Sequence, residues 1–201
     1  MNIAGYVVCN SPPVGQPGTG YTYELAGNGV FLEAHNSLMG VRIHLAPAEV
    51  RGLPALEPYL WPVHGKVPSH LLELVASTFG ATPDQERYAD IVWEGEYGIR
   101  IPSQDCTAGS IKYETIPNTA VNLHSHPGKL GAFFSGTDDS DDQGFQVSVE
   151  VAEDSRLNPW ARARVCLYGY FWEIPLAQVF EGPLSLREGP DKSELSLKEY
   201  D

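Results

Sequence analysis

The stretch Asn122-Leu123-His124-Ser125-His126-Pro127 constrains this chain more tightly than any other. The residues leading into it alternate in character, which predicts a strand over 120–126. Pro127 ends that strand, because proline has no amide hydrogen for a central ladder. Side chains alternate across a strand, so His124 and His126, two apart, face the same way. Two imidazoles on one face offer two nitrogens to one metal ion, each at about 2.0–2.1 Å.

A second short pattern follows. Ser135-Gly136-Thr137-Asp138 reads as a helix N-terminus, with a hydroxyl cap and acids in the first turn. Residues three apart share a helix face, so the Ser135 hydroxyl and the Asp138 carboxylate point into one site. Two imidazoles, one carboxylate and an open fourth position make a catalytic zinc site, in which bound water has a pKa of about 7. Such a site needs a general base within hydrogen-bond reach. Glu86 is the first choice, because it precedes an apparent buried strand at 88–93 and lies across the sheet from His124. Glu94 and Glu96, at the far end of that strand, are the runners-up. His35, His44, His64 and His70 have no partner at ligand spacing. No basic neighbour marks Cys106 as an activated thiol.

The chain around these patterns reads as three zones. Residues 1–66 form a β-rich N-terminal subdomain with a proline-rich linker. Short strands are expected there at 21–25, 30–34 and 41–45, with Gly27-Asn28-Gly29 as a tight turn. Residues 10–20, rich in proline and glycine, are expected to hold no regular element. Residues 67–180 carry the chemistry: a helix from Pro68-Ser69 to about Phe79, a second helix start at Thr82-Pro83-Asp84, then a hairpin, the HSHP strand, the SGTD helix and further strands. Residues 181–201 read as a flexible acidic tail.

Composition narrows the function classes. With 42% hydrophobic residues the chain can bury a sizeable core. Its net charge of -13 opposes non-specific nucleic-acid binding and anionic membrane surfaces. The three cysteines are widely spaced and form no CxxC pair, which suits a reducing compartment. Neither a signal peptide nor a membrane span is expected, so the chain reads as soluble and cytoplasmic.

His124-Ser125-His126-Pro127 followed by Ser135-Gly136-Thr137-Asp138 resembles the signature of the JAMM (MPN-plus) metallopeptidases, prokaryotic JAB branch. The family pattern is HxH, seven residues, then SxxD. Here eight residues, 127–134, fill the interval, which leaves Asp139 open as a substitute ligand. Ala132-Phe133-Phe134-Ser135-Gly136-Thr137-Asp138-Asp139 is further similar to a bacterial branch, the PRTRC-system A proteins. The resemblance implies a cytidine-deaminase-like α/β (α+β) JAB/MPN fold, with a mixed central sheet flanked by helices. It implies Zn2+ held by His124, His126 and Asp138, with Ser135 beside the oxyanion and Glu86 as the base. The implied activity is hydrolysis of an amide bond at the C-terminus of a ubiquitin-like protein or its precursor, with a ThiF/E1-like protein as a further partner. A catalytically weak or inactive binding module for the same partners is the alternative. Cupins would need a third histidine downstream, and none follows His126. Amidohydrolase barrels need a longer chain, and no GxSxG elbow is present.

Overall fold

The computed structural model describes residues 2–106, 111–126, 132–152 and 159–189. The chain divides into two compact units, Met1–Gly65 and Lys66–Asp201.

The first unit is a six-stranded sheet in the order β2-β1-β3-β4-β5-β6. Its strands are β1 (Ala4–Val8), β2 (Val14–Gln16), β3 (Tyr21–Ala26), β4 (Gly29–His35), β5 (Met39–Pro47) and β6 (Tyr59–Pro62). The β3–β4 turn falls at Gly27-Asn28, and Asn28 exchanges two hydrogen bonds with the Leu56 backbone, at 2.8 and 2.9 Å. Gly29 has φ +150°, and a Cβ there would lie 2.3 Å from the Ala46 carbonyl oxygen, so only glycine fits. Two expectations need correction. Val14–Gln16 pairs with β1 although its neighbours are turn formers, and the proline-rich run ends in strand β6. Both are edge strands, where proline is tolerated.

The second unit opens with β7 (Val67–Pro68) and helix α1 (Ser69–Gly80). Leu71, Leu72, Val75, Ala76 and Phe79 form the buried stripe of α1, which lies against β8 (Arg87–Trp93) and β9 (Tyr97–Arg100). Next come β10 (Gln104–Cys106) and β11 (Ile111–Tyr113), paired with each other, and β12 (Thr119–Ser125). Helix α2 (Gly136–Asp141), β13 (Phe145–Ala152), β14 (Trp160–Leu167), β15 (Tyr170–Ile174), α3 (Leu176–Val179), β16 (Phe180–Glu181) and β17 (Arg187–Glu188) complete it. The main sheet runs β15-β14-β13-β12-β8-β9, with β17 beside β14 and β16 beside β7. All neighbours from β15 to β9 are antiparallel except β12 and β13.

The expected fold, a JAB/MPN sheet flanked by helices, is not what forms. Of the described residues 48% lie in strands and 13% in three helices, and the sheets are large and mixed. The reason is local. Thr82-Pro83-Asp84, expected to start a helix, forms turns closed by Thr82 and Gln85 amides. α2 and α3 stop after six and four residues, so α1 is the one helix longer than two turns among the described residues. The expected tail also begins later, since β16 and β17 are paired strands; residues 127–131 and 190–201 lie outside the described residues. No described helix is long and apolar enough to cross a membrane.

Register explains where the core sits. Across the sheet, Ala89, Leu123, Val149 and Ala163 are direct partners, as are Ile91, Val121, Val147 and Val165. All eight are at most 3% exposed, and they make one face apolar. Leu123→Ala should therefore cost about 2–5 kcal/mol of unfolding free energy, read as a lowered urea midpoint with an unchanged slope.

Candidate metal centre

The opposite face of the same strands is polar and equally buried. Its first row is Tyr88, His124, Glu150 and Arg162; its second is Asp90, Asn122, Ser148 and Arg164. Parallel neighbours cannot be joined by a tight turn and need a crossover. The chain between β12 and β13 is that crossover, and it carries Ser135 and Asp138 over the ends of both strands. There a cavity of about 270 Å³ opens, lined in part by Glu86, His124, His126, Ser135 and Asp138.

Ser135 caps α2 in extended conformation, φ -84° and ψ 168°. Its Oγ accepts from the Asp138 amide at 3.2 Å, and its own amide donates to Asp138 Oδ2. This reciprocal box holds the Asp138 carboxylate toward the sheet. Asp138 Oδ1 is 3.2 Å from His124 Nε2, and Oδ2 is 3.3 Å from His126 Nε2. Neither contact has hydrogen-bond geometry: both Nε2 atoms are buried without a hydrogen-bond partner. Nitrogens this near a carboxylate, yet misaligned for a proton, fit a shared cation. Four donors at about 2.1 Å in a tetrahedron stand about 3.4 Å apart, close to both distances. The three residues form a compact set with ligand atoms within 4.8 Å of one another.

Electrostatics follow the geometry. Burial opposes ionisation of Asp138, but the two imidazoles and Ser135 hold its carboxyl well below the usual range. Burial likewise opposes protonation of His126; Asp138, Glu150 and Glu86 outweigh it and raise the imidazole. Glu86 lies on the other side of that ring, Oε1 3.7 Å from Nδ1. The structure thus gathers all five residues singled out in the sequence. Glu94 instead pairs with Arg100 at the far end of the β8–β9 hairpin. Asp139, the substitute ligand, turns away: its Oδ1 accepts from Arg164 at 2.5 Å.

Arg164 fixes the helix that carries Asp138. Its guanidinium also bonds Asp142 at 2.8 Å, and it stacks on Phe134 and Phe171 at 4.0 and 4.3 Å. Phe133 stacks on the His126 ring, centroids 5.1 Å apart. On the opposite wall Tyr88 stacks on Tyr113 and donates to Asp90 Oδ1 at 2.9 Å.

Two participants escape sequence reasoning. Arg164 and Glu150 sit on strands whose alternation looks like a core face backed by a solvated one. The alternation in Gln146-Val147-Ser148-Val149-Glu150-Val151 was the available signal, but it does not reveal that the polar side is covered. Glu150 is 0% exposed. Burial pushes its carboxyl up to about 7, with His124 and His126 acting in the other direction.

No protein-family model matches the chain, and no curated protein does.

Asp90 gives a prediction independent of any metal. Burial pushes its carboxyl up to about 6, although bonds from Tyr88 and Thr119 oppose this. A carboxyl raised in the folded state holds its proton better folded than unfolded, so it lowers stability as pH climbs toward 6. Asp90→Asn should gain on the wild type by on the order of 2–3 kcal/mol from about pH 4 to about pH 7.5. Urea unfolding of both proteins at the two pH values measures this; an equal difference at both would contradict it.

Proposed function

We propose that the chain is a zinc-dependent hydrolase of amide bonds. The observation that carries this reading is the convergence of His124 Nε2 and His126 Nε2 on the two oxygens of Asp138 without hydrogen-bond geometry. His124, His126 and Asp138 would hold the ion. Bound there, zinc would supply Lewis acidity, making a water acidic near neutrality and polarising a carbonyl.

The chain's own residues supply the rest. Glu86 lines the cavity beside His126 and takes a proton from water during attack, then returns it to the leaving amine. The Ser135 oxygen is occupied as acceptor from the Asp138 amide. Its hydroxyl hydrogen is left to donate to the oxygen that gains charge as the carbonyl becomes tetrahedral. Phe133 stacks on the His126 ring and Phe134 lies tilted beside the His124 ring, centroids 5.1 and 6.3 Å apart, which restrains both histidines.

The substrate class rests on likeness alone. HSHP and SGTD resemble the JAMM signature, which favours the C-terminus of a ubiquitin-like protein or its precursor as substrate and a ThiF/E1-like protein as partner. The fold lends no weight, since function belongs to sites and not to folds. The free Cys9 and Cys166 favour a cytoplasmic setting.

Elemental mass spectrometry of protein purified without chelators is the first test. Near-stoichiometric zinc in the wild type and its loss in His124→Ala are expected. Absence of zinc from the wild type, with none taken up on addition, would remove the hydrolase reading and leave a binding module for the same partners. Glu86→Gln should keep zinc and lose cleavage of a ubiquitin-like protein extended at its C-terminus; wild-type turnover would reassign the base. Ser135→Ala should slow cleavage by about 10²–10³ and, as a lost helix cap, cost about 1 kcal/mol of stability.

A further inference from the structure

The metal reading leaves one buried acid unexplained. Glu150 is the direct register partner of His124 across the parallel β12–β13 pair, so it lies on the same polar face. It has no solvent exposure, neither carboxylate oxygen has a side-chain hydrogen-bond partner, and the nearby Phe133 backbone amide acts to lower its carboxyl. Its Oε1 lies 3.7 Å from His126 Nε2, the nitrogen that also faces Asp138. A buried carboxylate is costly unless it takes up a proton or a positive charge nearby compensates it.

Nearby cations do not fill that role. Arg162, the partner of Glu150 on β14, pairs through Nη2 with Glu173, and its buried Nη1 has no hydrogen-bond partner and forms no ion pair with Glu150 among the described contacts. Arg164, in the next row, is committed to Asp139 and Asp142. No ion pair joins either arginine to Glu150 among the described contacts. What remains is the place where His124, His126 and Asp138 converge. Two neutral imidazoles and one carboxylate would leave a dication with one net positive charge, facing Glu86 on the cavity side of His126 and Glu150 on the sheet side.

On the basis of that metal reading, we propose that Glu150 is the second acid of the metal centre, a positioning and charge-balancing residue on the sheet floor beneath the two histidines. It stands outside the compact ligand set, so it acts through its charge and through His126 rather than as one of the three donors. Glu86 and Glu150 then divide the work around one ring: Glu86 borders Nδ1 on the cavity side, and Glu150 borders Nε2 from below.

Competition titration of the purified protein against a chromophoric zinc chelator tests this without reference to activity. Glu150→Gln removes the charge and keeps the shape, so it should fold and bind zinc about 10–100-fold more weakly. Glu150→Asp, which retains the charge, should recover part of the loss, and Glu173→Gln should bind as the wild type does. The zinc-induced rise in Tm should shrink in the same order. If the wild type binds zinc and Glu150→Gln binds equally well, the role of Glu150 is refuted while the metal centre stands. Unchanged affinity with a less stable metal-free protein would assign Glu150 to Arg162 instead, and equally overturns the proposal. A wild type that takes up no zinc removes both.

Discussion

Period-two alternation, held in register across β8, β12, β13 and β14, imposes two opposite chemistries on one sheet. Every residue that contributes to the apolar side forces its neighbours to the other side. Because both sides are covered, polar residues that would be solvated on an open sheet are buried in rows. Asp90, Asn122, Ser148, Glu150, Arg162 and Arg164 are all at most 6% exposed. Such a surface is stable only where its members satisfy one another or a bound ion does. Shifting β13 by one residue would bury Glu150 among valines and turn the valines onto the charged side, so the register is strongly specified.

Partners within the polar face explain which of its residues are structural. Arg164 has two carboxylates and two aromatic rings around it and works as a clamp that seats α2. Tyr88 satisfies half of Asp90. Asp90, Asn122, Ser148, Arg162 and Arg164 each leave one buried atom without a hydrogen-bond partner, and the other four such atoms belong to His124, His126 and Glu150 at one end. That end is where β12 stops and the crossover returns, the position at which sheets containing parallel strands commonly leave a crevice. Placement of the site is therefore a consequence of one parallel pairing in an otherwise antiparallel run.

Much of this was legible in the sequence, and the exceptions share a cause. HxH two apart and a hydroxyl three before an aspartate are local signals, and the structure places the His124, His126, Ser135 and Asp138 side chains together. The α1 stripe and most strands were equally local. The fold departs from the expected class because helix starts at Thr82 and beyond Asp138 carry good caps but little apolar periodicity to sustain a helix, so tertiary pairing into strands prevails. Edge strands β2 and β6 were hidden by proline and glycine, whose turn preference is compatible with a sheet rim. Glu150 and Arg164 were unreadable because their meaning depends on pairing between distant strands, which no window of sequence displays.

The ligand set has an unequal relation to chain order. Asp138 is oriented by its own turn through the Ser135 box, a contact spanning a few residues. His124 and His126 face it only once β12 lies between β8 and β13, which brings together segments far apart in the chain. An ion gripping all three would close a loop in the topology, and its binding energy would add to the cooperativity of the second unit. In the disordered chain the same donors are scattered, so metal capture would behave as a late folding event, tightening strands remote from the cavity as much as the cavity itself.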